Sequence, residues 1–174
     1  MVRALVLALL VGVAAVAAGC SETAGLGGEV DQRLRPVAER APAPRFSVPR
    51  LTGEGAFDLA ERRGRPVLLN FWASWCDPCR REMPALAEFA REHPEIDVVG
   101  LAVNDRPDDS RRFADRVGAR FDLGIDRRGD VAADFDVPGL PVTVVIYRQG
   151  RVASNHVGPI DRAQLDSYAD QLGS

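Results

Sequence analysis

The chain has 174 residues, 46% hydrophobic and 27% charged. That is enough for one ordinary globular domain with appendages and too little for two. Its formal net charge is only −3, so there is no basic footprint and no nucleic-acid partner is expected.

In chain order, Arg3 and the apolar run from Ala4 to Ala18 come first. A comfortable membrane span needs roughly 20 apolar residues, so residues 1–20 read as a signal peptide. The small residues that end it, "VAAGC", resemble a bacterial lipobox, which would place a lipid on Cys20 and anchor the chain to the membrane. With Cys20 lipidated, the exported part keeps an even pair of cysteines, Cys76 and Cys79. The alternative is cleavage after Ala17, which leaves Cys20 a free thiol. Either route puts the domain outside the cytoplasm, where disulfides persist. With the anchor, it sits on the outer face of the cytoplasmic membrane. Residues 21–44 are rich in Ala, Gly, Pro and charge and read as a flexible tether, with a reach of roughly 25–30 Å. The folded domain is expected over 45–174.

Within it, "FSV" and "AFDL" predict short strands around the turn "TGEG". "PVLLNFW" (66–72) and "IDVVGLAV" (96–103) are continuous apolar runs suited to strands buried on both faces. A helix is expected from about Asp77 to His93, kinked at Pro84 and stopped by Pro94. "DDSRRFADRVG" reads as a second helix ending at Gly118. A short helical or turn segment follows "FDLGID". "VTVVIY" and "RVASNHV", joined by "RQG", predict a hairpin. "DRAQLDSYADQL" predicts a last helix, with Asp161 and Gln164 placed as a capping box. Alternating strands and helices with a late hairpin make an α/β fold: a mixed central sheet flanked by helices, with a short N-terminal strand extension.

The chemistry concentrates in "FWASWCDPCRREMP" (71–84). A disulfide between Cys76 and Cys79 would close a four-residue ring, which restrains the unfolded chain by only about 2 kcal/mol. It is a weak staple. It is a well-placed redox couple, because either held thiol can attack or resolve a mixed disulfide. Cys76 falls where a helix opens, beside backbone N–H groups that stabilise a thiolate, while Cys79 lies one turn inside and suits the resolving role. Haem attachment would need a histidine where Arg80 stands. Zinc would need four ligands, and only His93 and His156 remain, on separate elements. No metal or other cofactor is expected.

"NFWASWCDPCRREMP" resembles the exported thioredoxin-like thiol–disulfide oxidoreductases of the TlpA, ResA and CcmG type, and the resemblance runs from about Phe46 to Leu172. It implies a thioredoxin fold. "FDVPGLPVTVVI" (135–146) is similar to the family segment in which a cis-proline, here Pro141, faces the cysteines and exposes the Leu140 backbone to an extended client. Trp75 matches the family's active-site tryptophan, flanking the couple with Asp77 and Pro78. Glu82, three residues after Cys79, matches an acidic residue near the thiols. Buried there, it would have a raised pKa and exchange a proton with Cys79; the alternative is a surface ion pair with Arg80 or Arg81. Asn70 stands where cytoplasmic thioredoxins keep a buried Asp, so that proton route is absent. Trp72 and Asn70 read as core, and His93 and His156 receive no role.

The direction of electron flow rests on opposing effects. The helix start favours the thiolate and an oxidising couple, whereas Asp77 and an ionised Glu82 oppose it. The balance favours a reductant, reset by a membrane electron donor of the CcdA or DsbD type and serving an apocytochrome c or other exported thiol protein. An exported thiol oxidase is the second reading, and a non-catalytic binding or chaperone module the reading of another class. A peroxidatic enzyme would carry one activated cysteine in a Thr- or Ser-containing motif, which is missing here.

Overall fold

Six consecutive residues, Val67–Trp72, have no polar exit except Asn70, so this strand, β3, fits only the middle of a sheet with both faces covered. A computed structural model, which describes residues 33–173, places it there. The proposed signal peptide, Cys20 and the first part of the tether lie outside the described residues. The five-stranded sheet has the order β5-β4-β3-β6-β7, with β4 at Asp97–Val103, β5 at Asp122–Asp126, β6 at Val142–Tyr147 and β7 at Arg151–Val157. β3, β4 and β5 run parallel, while β6 and β7 are antiparallel. This is the expected mixed α/β sheet of the thioredoxin fold. A separate hairpin, β1 (Ser47–Pro49) and β2 (Ala56–Asp58), forms the strand extension.

Side-chain alternation along the strands divides the core in two. Val67, Leu69 and Phe71 face one side with Val99, Leu101, Val144 and Ile146, and the hairpin's Val48 and Phe57 cover them. The short helix α3 (Asp130–Asp134) closes the same side. Leu68 and Trp72 face the other side with Ala102, Val145 and Ala153, beneath α1 (Asp77–Glu92), α2 (Pro107–Val117) and α4 (Arg162–Gly173). Asn70 interrupts that second layer, and register puts Thr143 of β6 beside it and His156 of β7 beside Thr143. A polar row thus crosses three strands under α1 and α4.

Helix α1 runs through Pro84 to Glu92, with His93 as its C-terminal cap. Gly118 closes α2 at φ 68°, a left-handed conformation that a side chain would disfavour. Asp161 and Gln164 form the expected reciprocal capping box: each backbone N–H donates to the other's side chain at 2.9 Å.

Two features depart from the sequence reading. The first is β5, the sheet edge, whose pattern is broken by Gly124. A Cβ there would come 2.7 Å from Val48 and 2.8 Å from Leu101, so the glycine lets the hairpin lie directly on the strand. The second is the tether. Its last part, residues 33–44, is laid along the domain instead of hanging free. Arg35 N–H donates to Ala153 O at 2.7 Å, Val152 N–H to Ala41 O at 2.8 Å, and Ala43 N–H to Gly150 O at 2.9 Å. Arg40 is buried with its guanidinium 4.5 Å from the Tyr147 ring centre. These are backbone and cation–π attachments, which no apolar periodicity announces.

Candidate active site

Between the end of β3 and the start of α1, four residues turn the chain and deliver Cys76 to the helix N-cap. Cys79 N–H donates to Cys76 Sγ at 3.3 Å. The two sulfurs are bonded, at 2.01 Å, with Cα atoms 5.3 Å apart. Cys76 keeps 5% of its surface exposed and Cys79 none, so an incoming group meets Cys76 first. In the reduced protein the same amide and the helix dipole favour a thiolate on Cys76. Asp77 is exposed beside it, and Pro78, with no N–H to satisfy, fits the first turn.

The turn itself is pinned from the next loop. Asp105, just beyond β4, accepts hydrogen bonds from Ser74 N (2.6 Å), Ser74 Oγ (3.0 Å) and Ser110 Oγ (2.6 Å). Sequence reasoning missed Asp105. The available signal is its place beyond the carboxyl end of a buried parallel strand, where open α/β sheets build their sites. Trp75 is 61% exposed and its indole N–H reaches Asn104 O at 3.4 Å. It forms one wall of a groove of about 330 Å³ that continues past Val103 and Val137 to Leu140.

The Leu140–Pro141 peptide bond is cis. Pro141 is buried immediately before β6, whose first residue pairs with Phe71, so it lies level with the end of β3 at the cysteine end of the sheet. Leu140 is half-buried and packs against both cores, while lining the same groove as Trp75. Pro141 O accepts from Gly158 N–H at 3.0 Å.

Glu82 is 3% exposed and faces the sheet, not Arg80 or Arg81. Arg80 instead lies 5.5 Å from the Phe113 ring centre of α2. Asn70 Nδ2 donates to Glu82 Oε1 at 2.8 Å and to Thr143 Oγ1 at 3.0 Å, and Ile160 N–H donates to Glu82 Oε2 at 2.8 Å. Burial pushes the Glu82 carboxyl up to about 7, although the bonds from Ile160 and Asn70 pull the other way. A carboxyl poised there holds or releases a proton near neutral pH. Asn70 therefore acts as a ligand to the acid, an arrangement fixed by sheet register and invisible in sequence. Trp72 is core, as expected. His93 stacks on Phe89 with ring centres 4.3 Å apart, and His156 is buried against the β7–α4 connection. Among the described residues no group of three or more His, Cys, Asp or Glu side chains is placed to hold a metal.

Residues 40–155 match the AhpC/TSA family. The chain is 35% identical over 139 residues to the thioredoxin-like protein YneN of Bacillus subtilis, covering 77% of this chain and 80% of that one. It is 35% identical over 138 residues to the thiol-disulfide oxidoreductase ResA of Geobacillus kaustophilus, covering 78% and 79%. The crystal structure of a putative thiol:disulfide interchange protein DsbE from Chlorobium tepidum superposes with a TM-score of 0.69 at 30% identity, covering 76% of this chain and 94% of that one. With a bonded cysteine pair at the helix start of a thioredoxin fold, the chain belongs to the AhpC/TSA family and, within it, to the thioredoxin-like thiol–disulfide oxidoreductases of ResA and DsbE type.

Proposed function

We propose that the protein is a membrane-tethered, extracytoplasmic reductant of protein disulfides. The observation that carries the chemistry is the asymmetry of the pair: Cys76 at the rim, held by an amide at the helix start, and Cys79 fully buried one turn further in. The Cys76 thiolate attacks a client disulfide, breaking that S–S bond and expelling one client thiolate. Cys79 loses its proton, with Glu82 as acceptor, and attacks Cys76 Sγ. The second client thiolate leaves, the client is reduced by two electrons, and the Cys76–Cys79 disulfide seen in the structure is formed. Trp75 and Leu140 supply apolar contact for the client, and the Leu140–Pro141 backbone the edge along which it pairs.

The reducing direction is supported by Asp77, exposed beside Cys76, and by Glu82, which opposes a very low Cys76 pKa when ionised. A membrane donor of the CcdA or DsbD type resets the pair, and an apocytochrome c awaiting haem is the client class that needs such thiols. The anchor is a lipid on Cys20, with the tether holding the domain off the membrane. Among the described residues no helix is long and apolar enough to cross a membrane.

The amide of Cys79 on Cys76 Sγ favours the second reading, an exported oxidase, by stabilising the thiolate. Equilibration of the couple with defined thiol buffers decides between them. A potential near −270 mV or below supports the reductant, and one above roughly −180 mV overturns it in favour of the oxidase. A pair that never cycles leaves only a binding module.

A further inference from the structure

Three hydrogen bonds meet on three consecutive residues between β7 and α4, the stretch Gly158–Pro159–Ile160. Gly158 N–H donates to Pro141 O at 3.0 Å. His156 Nε2 lies 3.2 Å from Pro159 O, and because a carbonyl only accepts, the ring hydrogen sits on Nε2. Ile160 N–H donates to Glu82 Oε2 at 2.8 Å. The stretch therefore touches the buried acid at one end and the proposed client edge at the other.

It is also built to carry a displacement. Ile160 is 2% exposed and packs in the same cluster as Cys76, Cys79 and Met83. Pro159 has a fixed φ and no N–H of its own. Gly158 sits at φ 100°, where the left-handed backbone, and not a lack of space, requires glycine. His156 is 1% exposed and braced edge-on by Tyr168, with ring centres 6.5 Å apart.

Taking the oxidoreductase reading above as its basis, we propose that Gly158–Ile160 is a strut coupling the Glu82 carboxyl to the Pro141 edge, with His156 as its positioning residue. Both carboxylate oxygens already accept N–H donors, from Asn70 and Ile160. When Glu82 takes a proton, the new O–H needs an acceptor, and Asn70 Oδ1 is buried without a hydrogen-bond partner on the facing side chain. Turning toward it weakens a charge-assisted bond to Ile160 to a neutral one, about half as strong. The strut relaxes, and Gly158 moves against Pro141 O. The proton held near the thiols thereby sets how the client edge is presented.

The other buried titratable side chains on the elements around Glu82 are His156 on β7 and Tyr168 on α4, with Cys79 of its own helix held in the disulfide. At the rim of the α1–α4 contact, Arg162 pairs with Glu88, Glu92 and Asp166, and His93 faces Glu95 and Asp166. Asp161 is exposed and engaged in the α4 cap.

The test is a ¹H–¹⁵N titration of the oxidised chain from pH 5 to 9. Ile160 and Gly158 amides are expected to shift with one common midpoint near 7, set by Glu82. Glu82→Gln should flatten both. His156→Phe should leave the Ile160 shift in place and reduce that of Gly158 at least twofold, while His156→Gln, which keeps an N–H for Pro159 O, should restore it. A flat Gly158 amide in the unaltered chain overturns the proposal. So does a Gly158 shift that survives Glu82→Gln, or a His156→Phe chain that titrates like the original. Because the readout needs no turnover, coupling without disulfide exchange would count against the proposed function alone, and exchange without coupling against the strut alone.

Discussion

At the scale of single residues, Asp105 carries the most structure per atom near the cysteines. Its carboxylate takes four hydrogen bonds, two from Ser74, one from the Arg106 backbone N–H and one from Ser110, whose hydroxyl is fully buried. Asp105→Ala removes all four and leaves the Ser110 hydroxyl without this acceptor, a loss of about 1–3 kcal/mol. It also releases the turn that holds Trp75 and Cys76. Thermal unfolding of the oxidised protein should then begin roughly 3–10 °C lower, and disulfide exchange with a client should slow. Asp105→Asn, which keeps one acceptor oxygen, should recover part of both. An Asp105→Ala protein that melts and turns over like the original would show that the turn holds itself. The cysteines and Glu82 were legible in the sequence because a short spacing on one helix fixes their relation. Asp105 and Asn70 were not, because their partners are set by where β4 ends and how β3 and β6 register, which no local pattern encodes.

At the scale of elements, the same division between local and non-local information recurs. β3 and β4 read directly as continuous apolar runs because both their faces are covered. The α4 capping box read directly because it is complete within four residues. β5 escaped, since its glycine answers to a hairpin distant in sequence. The stretch 33–44 escaped because backbone bonds to β7 hold it. Gly100 of β4 belongs to this second kind. It pairs with Asn70 on the layer under α1, and a Cβ there would lie 2.8 Å from Leu123 Cδ2 and 2.9 Å from the buried indole Nε1 of Trp72. Leucine can turn aside, but Trp72 is fully buried and packed against Phe113. Gly100→Ala should therefore strain the sheet by about 1–3 kcal/mol, read as a lower denaturant midpoint with an unchanged slope. An unaltered midpoint would mean that the layer over Gly100 yields more easily than its packing implies.

For the molecule as a whole, the buried acid ties stability to pH. Glu82 has a folded-state pKa raised from 4.5 to about 7, chiefly by burial. The folded chain therefore holds this proton more tightly than the unfolded chain does. Below pH 4.5 the carboxyl is protonated in both states and exacts no penalty. As pH rises toward 7 the unfolded chain releases the proton first, so unfolding becomes progressively easier; above 7 both states are ionised and the penalty is constant. A shift of this size amounts to about 3 kcal/mol. Glu82→Gln removes the titration. It also alters the bonds to Asn70 and Ile160, so its absolute stability carries an offset that does not depend on pH. The diagnostic quantity is the slope. The difference in unfolding free energy between Glu82→Gln and the unaltered oxidised chain should move in the variant's favour by about 3 kcal/mol between pH 4 and pH 8, most steeply between 4.5 and 7, and level off beyond. Urea unfolding at a series of pH values measures it. A constant difference over that range would place the Glu82 carboxyl at its ordinary pKa, and the acid would then lack the proton affinity that a partner for the Cys79 thiol requires.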